Sequence, residues 1–364
     1  MDVLLSKILS ESRMPFYRFS NADGKEWFVP EYGTSVGLAL YQASNRNGLL
    51  LKKLLPILGH VGLFRRLVHI EMRNIELVES LRTEICLAFG VDEFRFSVFG
   101  GTPCVHQKIT IQIFTIEGKI LGYCKVAGNP DVWSNFKREY KLLGDLHHQG
   151  VKGVPEGLLC EKINKGCYVF AKSTVKSLKT QYPHQWSDLH AQFLADMQRK
   201  TIRHLPYEQT DFCNQLTALG TRIDWLNPNI IEIVKRGLDC VKQKYEGKEV
   251  EFSLFHADFT PWNMFVEQGQ LFVFDWEYAI RTCPPGLDRY HFFTQTEIFE
   301  HHHQVDQIWE SFQKTGMDKE TYLEYLLLVM AIYTGRETSE SVNLIHEELV
   351  RWSSLIKKII SAIN

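Results

Sequence analysis

The residue pattern predicts an α+β fold of two lobes, an antiparallel-sheet N-lobe and a mainly helical C-lobe, with an extra α/β region at the N-terminus. Three observations carry this. Apolar residues between Phe94 and Val126 recur with period two, the spacing of half-buried strands. From Trp186 onward the apolar spacing is mostly helical. That helical run is interrupted by an apolar strand and a tight hairpin, residues 252–274, whose ends carry two acids and an amide. The expected divisions are an accessory region over 1–90, the N-lobe over 91–172, and the C-lobe with its hairpin over 173–364.

In the accessory region, Leu4 to Leu9 begins a short helix and Trp27 to Pro30 reads as a strand, while Val36 to Ala43 suits either a strand or a helix start. Residues 49–68 combine apolar side chains with Lys52, Lys53, Arg65 and Arg66. One reading is a basic amphipathic helix in contact with a membrane surface. The pattern favours a pair of packed helices broken near Pro56 to Gly62, because proline and two glycines interrupt the run. Between Ile75 and Phe89 the apolar residues Ile75, Leu77, Val78, Leu81, Ile85 and Leu87 recur close to a helical period, and Gly90 would end that helix.

The period-two stretch divides into three strands, Phe94 to Phe99, Lys108 to Phe114 and Ile120 to Val126, with a turn at Gly100-Gly101-Thr102-Pro103. Glycines there let backbone amides approach phosphate oxygens. An inward-facing Lys125 on the third strand needs a partner, because a lone buried ammonium is costly. Glu139, on a helix expected from Trp133 to Leu146, is the candidate; Lys108, one strand earlier, is the competing lysine. Cys167 to Phe170 reads as another strand, and Ala171 to Thr174 as the hinge after it. Helices are expected over 186–203, 230–244 within 225–245, 291–315, 319–333 and 339–363.

Ordinary apolar (45%) and charged (23%) fractions describe a globular chain of 364 residues, and a net charge of −2 gives no footing for nucleic-acid binding. Eight scattered cysteines without a Cys-x-x-Cys pair suggest reduced thiols in a cytoplasmic protein. Residues 1–16 carry charges and lack the apolar core of a signal peptide. His147-His148 and His301-His302-His303 look like metal tracts, but neighbours on a helix point in different directions, so they read as solvated.

The chemistry concentrates in 253–291. After the apolar run Phe252 to Phe255 comes His256-Ala257-Asp258, and Asn263 follows five residues after the aspartate. Met264 to Val266 and Leu271 to Phe274 are strand-like, joined by Gln268-Gly269-Gln270, and the second ends in Asp275-Trp276-Glu277. Phosphoryl transfer needs a carboxylate to orient the attacking hydroxyl, and an amide and a second carboxylate as hard oxygen ligands for magnesium. The spacing follows the protein-kinase order of Asp, Asn and a later metal-binding Asp. Alternation along the strand would set Glu277 on the side of Asp275.

His-Ala-Asp-Phe-Thr-Pro-Trp-Asn, Asp-Trp-Glu and the Pro284-Pro285-x-x-Asp288 segment together resemble the aminoglycoside phosphotransferase and choline kinase superfamily, which has a protein-kinase-like fold. The Arg that protein kinases place before the catalytic Asp is absent here, and Asp-Trp-Glu replaces their Asp-Phe-Gly. The resemblance implies an ATP- and Mg-dependent enzyme, with Asp258 as catalytic base and His256 supporting its loop. It implies Asn263 and Asp275 as metal ligands and Asp288 as a brace of the C-lobe. Lys125, held by Glu139, would contact phosphate; Gly100, Gly101 and Thr102 would cover the triphosphate; Ala171 and Ser173 would lie at the adenine. The implied partner is a small-molecule hydroxyl acceptor, a sugar or polysaccharide precursor ahead of an amino alcohol or aminoglycoside. For a cationic acceptor, Glu297, Glu300, Asp306, Trp309 and Tyr322 are the candidate recognition residues. A protein Ser/Thr kinase is the alternative, disfavoured by the short link from Asp275 to Asp288. A nucleotide-binding module without turnover would not need the whole residue set.

Overall fold

The computed structural model describes every residue except 1–2, 44, 103, 105, 164–165, 224–225, 227, 336–341 and 364. The chain divides into two compact units: Met1–His148, Gly153–Gln181 and Val266–Phe272 form the first, and Gln149–Lys152, Tyr182–Phe265 and Val273–Asn364 the second.

The first unit begins with α1 (Leu5–Ile8), β1 (Leu9–Ser20), β2 (Glu26–Pro30), α2 (Thr34–Gly37), α3 (Arg46–Leu58), α4 (Gly62–Leu67), β3 (Glu71–Leu77) and α5 (Glu79–Phe89). It continues through β4 (Arg95–Phe99), β5 (Lys108–Phe114), β6 (Ile120–Ala127), α6 (Pro130–His148), β7 (Gly157–Ile163) and β8 (Cys167–Ser173). The eight strands form one antiparallel sheet in the order β3-β1-β2-β4-β5-β6-β8-β7. The strands of residues 1–90 are thus hydrogen-bonded onto those that follow. One face of the sheet buries Phe96, Val98, Ile109, Ile111, Cys124 and Val126 against Leu81 and Ile85 of α5.

Several local assignments differ from the sequence expectation, each for a physical reason. β1 contains Pro15, and the ladder to β3 shifts register between Glu11 and Pro15. A bulge is where a strand tolerates a residue with no N–H. Ile75 and Leu77 lie on β3, where they are the only buried positions, because two apolar residues two apart fit a strand as well as a helix. The break expected near Pro56 to Gly62 is present at Gly59–Val61, with Pro56 itself inside α3, since one proline removes one i→i−4 bond. In this segment Lys52 Nζ donates to the Tyr41 carbonyl at 2.9 Å and Arg65 Nη1 to the Gly59 carbonyl at 2.7 Å. β8 runs to Ser173, so Ala171 to Ser173, expected as hinge, belong to the ladder.

The second unit contains α7 (Asp188–Thr201), β9 (Arg203–Pro206), α8 (Asp211–Thr221), α9 (Pro228–Tyr245) and β10 (Glu249–Phe255). The hairpin β11 (Met264–Glu267) and β12 (Gln270–Val273) follows, then β13 (Ile280–Cys283), α10 (Leu287–Phe299), α11 (Val305–Thr315), α12 (Lys319–Thr334) and α13 (Val342–Ile363). The tip of the hairpin counts with the first unit and its base with the second. β10 lies between β9 and β13 in a small antiparallel sheet. α12 buries Tyr322 through Ala331 without interruption, the signature of a helix enclosed on all sides. Arg203 opens β9 instead of closing a helix, and the helix expected over 291–315 is two helices separated at 300–304. The helix expected over 230–244 is α9, and the helix start expected at Ser339 falls outside the described residues. No described helix is long and apolar enough to cross a membrane.

Candidate active site

β10 ends at Phe255, where the chain turns sharply: Ala257 has φ 64°, the left-handed region that non-glycine residues rarely adopt. Asp288, buried at the N-terminal turn of α10, holds this turn by accepting the His256 N–H with both carboxylate oxygens at 3.1 Å. Burial pushes its carboxyl up to about 7, against hydrogen bonds from the His256 and Ala257 amides that favour the charged form.

His256 is fully buried, and its two ring nitrogens do different work. Nδ1 accepts the Asp258 N–H at 3.1 Å, so the ring proton sits on Nε2, which donates to the Phe274 carbonyl at 3.2 Å. Burial pushes the imidazole down to about 4, so the ring is neutral near neutral pH. One side chain therefore ties the backbone of Asp258 to the residue preceding Asp275. Trp276 packs edge-on against it at 4.3 Å between ring centroids and donates its indole N–H to the Val273 carbonyl at 3.0 Å.

The third anchor is Asn263, at the end of a 3₁₀ turn that leads into β11. Its Nδ2 donates to the Asp258 Oδ2 at 2.7 Å and to the Asp258 carbonyl at 3.1 Å. Its own carbonyl accepts the Phe274 N–H at 3.0 Å. Asp275 also has a left-handed backbone, φ 69°. Left-handed non-glycine residues cost about 1–2 kcal/mol each and persist where surrounding bonds over-determine them. Here Ala257 precedes Asp258 and Asp275 is itself a candidate site residue, and Asp288, His256 and Asn263 supply bonds around them. The hairpin turn has Gln268 at φ 50° and Gly269 at φ 77°, positive at both central residues as a two-residue turn with strand-matching twist requires.

His291 and Tyr325 were given no role by sequence reasoning. His291 Nε2 lies 3.7 Å from the Asp258 Oδ1, too long for a hydrogen bond, and Tyr325 Oη meets its Nδ1 at 3.3 Å. Both are buried. The signal was absent because a lone histidine on a helix reads as core.

In the first unit, β6 alternates Cys124 and Val126 into the core with Tyr123 and Lys125 on the opposite face. Lys125 pairs across to Phe170 and Tyr123 to Lys172, so the two lysines share that face, against which α6 packs. Glu139 of α6 is fully buried between them. Its Oε1 accepts from Lys172 Nζ at 2.6 Å, whereas Lys125 Nζ stands 3.8 Å from Oε2. The nearer partner is the lysine that sequence reasoning passed over. Lys108, on β5, pairs across to Ala127 of β6.

The Gly100 N–H donates to the Glu26 carbonyl at 2.8 Å, and its carbonyl accepts from Gln107 Nε2 at 2.7 Å, so this peptide is engaged inside the sheet. Gly101 has φ 79°, and a Cβ there would come within 2.2 Å of the Lys108 carbonyl oxygen. Thr102 is exposed; Pro103, the end of the expected turn, lies outside the described residues. Ala171 is buried in a strand flanked on both sides, and Ser173 donates its N–H to the Glu156 carbonyl at 2.9 Å. Past β8, Glu267 at the hairpin tip accepts from the Ser177 hydroxyl at 2.9 Å and from the Thr180 hydroxyl, fixing the segment 174–181.

Each of the five candidates for cationic recognition is engaged with other groups of the protein. Tyr322 is core and Asp306 pairs with Lys358 at 2.8 Å. Trp309 stacks on Phe312, Glu300 meets His184 at 3.2 Å, and Glu297 takes two histidines.

No protein-family model and no curated protein matches the chain. Solved structures do. A thermostable mutant of aminoglycoside phosphotransferase APH(4)-Ia, in its apo form, aligns over 77% of this chain and 98% of its own at TM-score 0.50 and 12% identity. A variant of that enzyme, in ternary complex with ADP and hygromycin B, aligns over 78% and 98% at TM-score 0.50 and 13% identity. The chain has the protein-kinase-like fold of the aminoglycoside phosphotransferases. Within that fold, an antiparallel sheet carries Lys125 and the glycine turn, helix α6 carries Glu139, and a mainly helical region carries Asp258, Asn263 and Asp275.

Proposed function

We propose that this protein is an ATP- and Mg²⁺-dependent phosphotransferase that moves the γ-phosphate to a hydroxyl group of a small molecule. The observation that carries the reading is the clasp made by His256, Asn263 and Asp288. It holds Ala257, which precedes Asp258, and Asp275 in left-handed backbone conformations that non-glycine residues rarely adopt. Asp258, part-exposed, orients the acceptor hydroxyl and takes its proton through a carboxylate whose other oxygen is fixed by Asn263. Because Asn263 gives its amide hydrogens to Asp258, its Oδ1 is the atom left to ligate a cation beside the Asp275 carboxylate. That oxygen donor set fits magnesium, which when bound neutralises charge on the phosphate oxygens.

Lys125 takes the phosphate contact, since Lys172 is bonded more closely to Glu139. The engaged peptide of Gly100 directs triphosphate contacts to Gly101 and Thr102, and the laddered Ala171 and Ser173 direct adenine contacts to the segment after β8. His256 is a positioning residue, neutral and sealed from the reacting atoms. The acceptor class we favour is a sugar or a polysaccharide precursor, because the five carboxylate and aromatic candidates for a cationic acceptor are already paired or packed within the protein.

The experiment is ATP turnover against panels of sugars, amino alcohols and aminoglycosides, with Asp258→Asn alongside. Asp258→Asn should abolish transfer while nucleotide affinity stays within a few-fold. Equal loss of both would remove the base assignment, and turnover only on protein substrates would remove the small-molecule reading.

A further inference from the structure

Away from Asp258, Asn263 and Asp275, the end of α10 brings together three side chains, Glu297, His301 and His303, of which helical spacing would have paired only the first two. The helix stops at Phe299, and the chain folds back so that the His301 N–H donates to the Thr296 carbonyl at 3.1 Å and the His303 N–H to the Glu297 carbonyl at 2.9 Å. His302 takes a left-handed backbone, φ 56°, which turns His301 and His303 to one side. Nδ1 of His301 lies 3.0 Å from one Glu297 carboxylate oxygen and Nδ1 of His303 lies 2.8 Å from the other. His301 and His302 are exposed and His303 is half-buried, as a solvated tract would be, but the three residues are not on a helix, and two of them meet one buried carboxylate.

We infer that Glu297, His301 and His303 form a mononuclear binding site for a zinc-class divalent cation. The donor atoms of the three residues lie within 4.8 Å of one another. Two imidazoles and one carboxylate are a donor set that zinc accepts with a further position left open. The mixture of nitrogen with oxygen favours a borderline transition metal over magnesium or calcium, which take oxygen donors. Zinc bond lengths imply donors about 3.4 Å apart in a tetrahedral set, so the observed contacts need to open by a few tenths of an ångström. Half-exposed His301 has room for this. In the cation-free protein, Nδ1–H groups donate to the carboxylate; on binding, each imidazole carries its proton on Nε2 and offers the Nδ1 lone pair. Glu297 and His301 also line a cavity of about 450 Å³ with Trp186, Arg289 and Phe292, from which the open position is reached.

The test uses the full chain, stripped with chelator and equilibrated with Zn²⁺ under excess Mg²⁺, so that all-oxygen sites do not compete. Equilibrium dialysis should show one tightly held Zn²⁺ per chain, and Co²⁺ in its place should give the visible bands of a low-coordinate site. His301→Ala and His303→Ala should each weaken the uptake by about tenfold or more, as losing a metal contact does. Glu297→Gln preserves shape and controls for misfolding, its melting temperature and circular dichroism being read in parallel; it too should lose Zn²⁺. No stoichiometric uptake by the wild-type chain, or unchanged uptake in a His301→Ala/His303→Ala double variant, would overturn the assignment.

Discussion

Replacing Lys172 by methionine separates the lysine that holds the sheet face together from the lysine proposed to meet phosphate. Glu139 has no exposed surface and Lys172 is about 6% exposed in its side chain, so their 2.6 Å contact is a buried pair. Removing one partner of such a pair typically costs 3–5 kcal/mol, because the other charge remains without water. Lys125 stays within 3.8 Å of the same carboxylate and offsets part of this, which sets the expectation at the low end, about 3 kcal/mol. For a unit of this size that is a fall in melting temperature of roughly 6–12 °C. Lys125→Met removes no close hydrogen bond to Glu139 and should cost about 1 kcal/mol, while reducing turnover far more than Lys172→Met does. The assay is thermal unfolding by circular dichroism beside steady-state kinetics. A Glu139→Gln/Lys172→Met double variant should recover much of the lost stability, since it leaves no charge stranded. The reasoning fails if Lys125→Met is the more destabilised of the two, or if the double variant melts as low as Lys172→Met.

Three further outcomes are expected. Burial raises the Asp288 carboxyl from its ordinary 3.8 to about 7. The folded state therefore holds a proton that the unfolded chain releases, and the Asp288 contribution to stability declines as pH rises from about 4 to about 7. Asp288→Asn lacks that decline, so the variant should gain on wild type across this window by at most about 4 kcal/mol; a flat difference in melting temperature would contradict it. Gly101→Ala forces a Cβ against the Lys108 carbonyl at positive φ and should cost about 1–3 kcal/mol, visible as a lower melting point. His291→Ala, next to the proposed base, should lower kcat about tenfold through misplacement of Asp258 with the nucleotide KM nearly unchanged; a change in KM alone would point to a different role.

The strands over 95–127 and the hairpin with its flanking acids were legible in the sequence because both are local. Alternation declares a strand, and spacing along one ribbon sets where Asp258, Asn263 and Asp275 can lie. β1 and β3 were not legible, since Pro15 hides a bulged strand and Ile75 with Leu77 fits two periods. Their membership in the sheet is settled by partners some fifty residues away. Non-local pairing also decided that Lys172, four residues after the expected strand residue Tyr168, reaches Glu139 before Lys125 does. The same holds for His256, whose second ring nitrogen finds a carbonyl eighteen residues on, and for Glu297, which receives two histidines only because α10 ends where it does. Sequence alone determined which chemical groups this chain carries and their order along the strands. Tertiary structure decided which of them touch, because a side chain's partner is set by the sheet and helix faces brought together in folding, and one sequence does not record those distances.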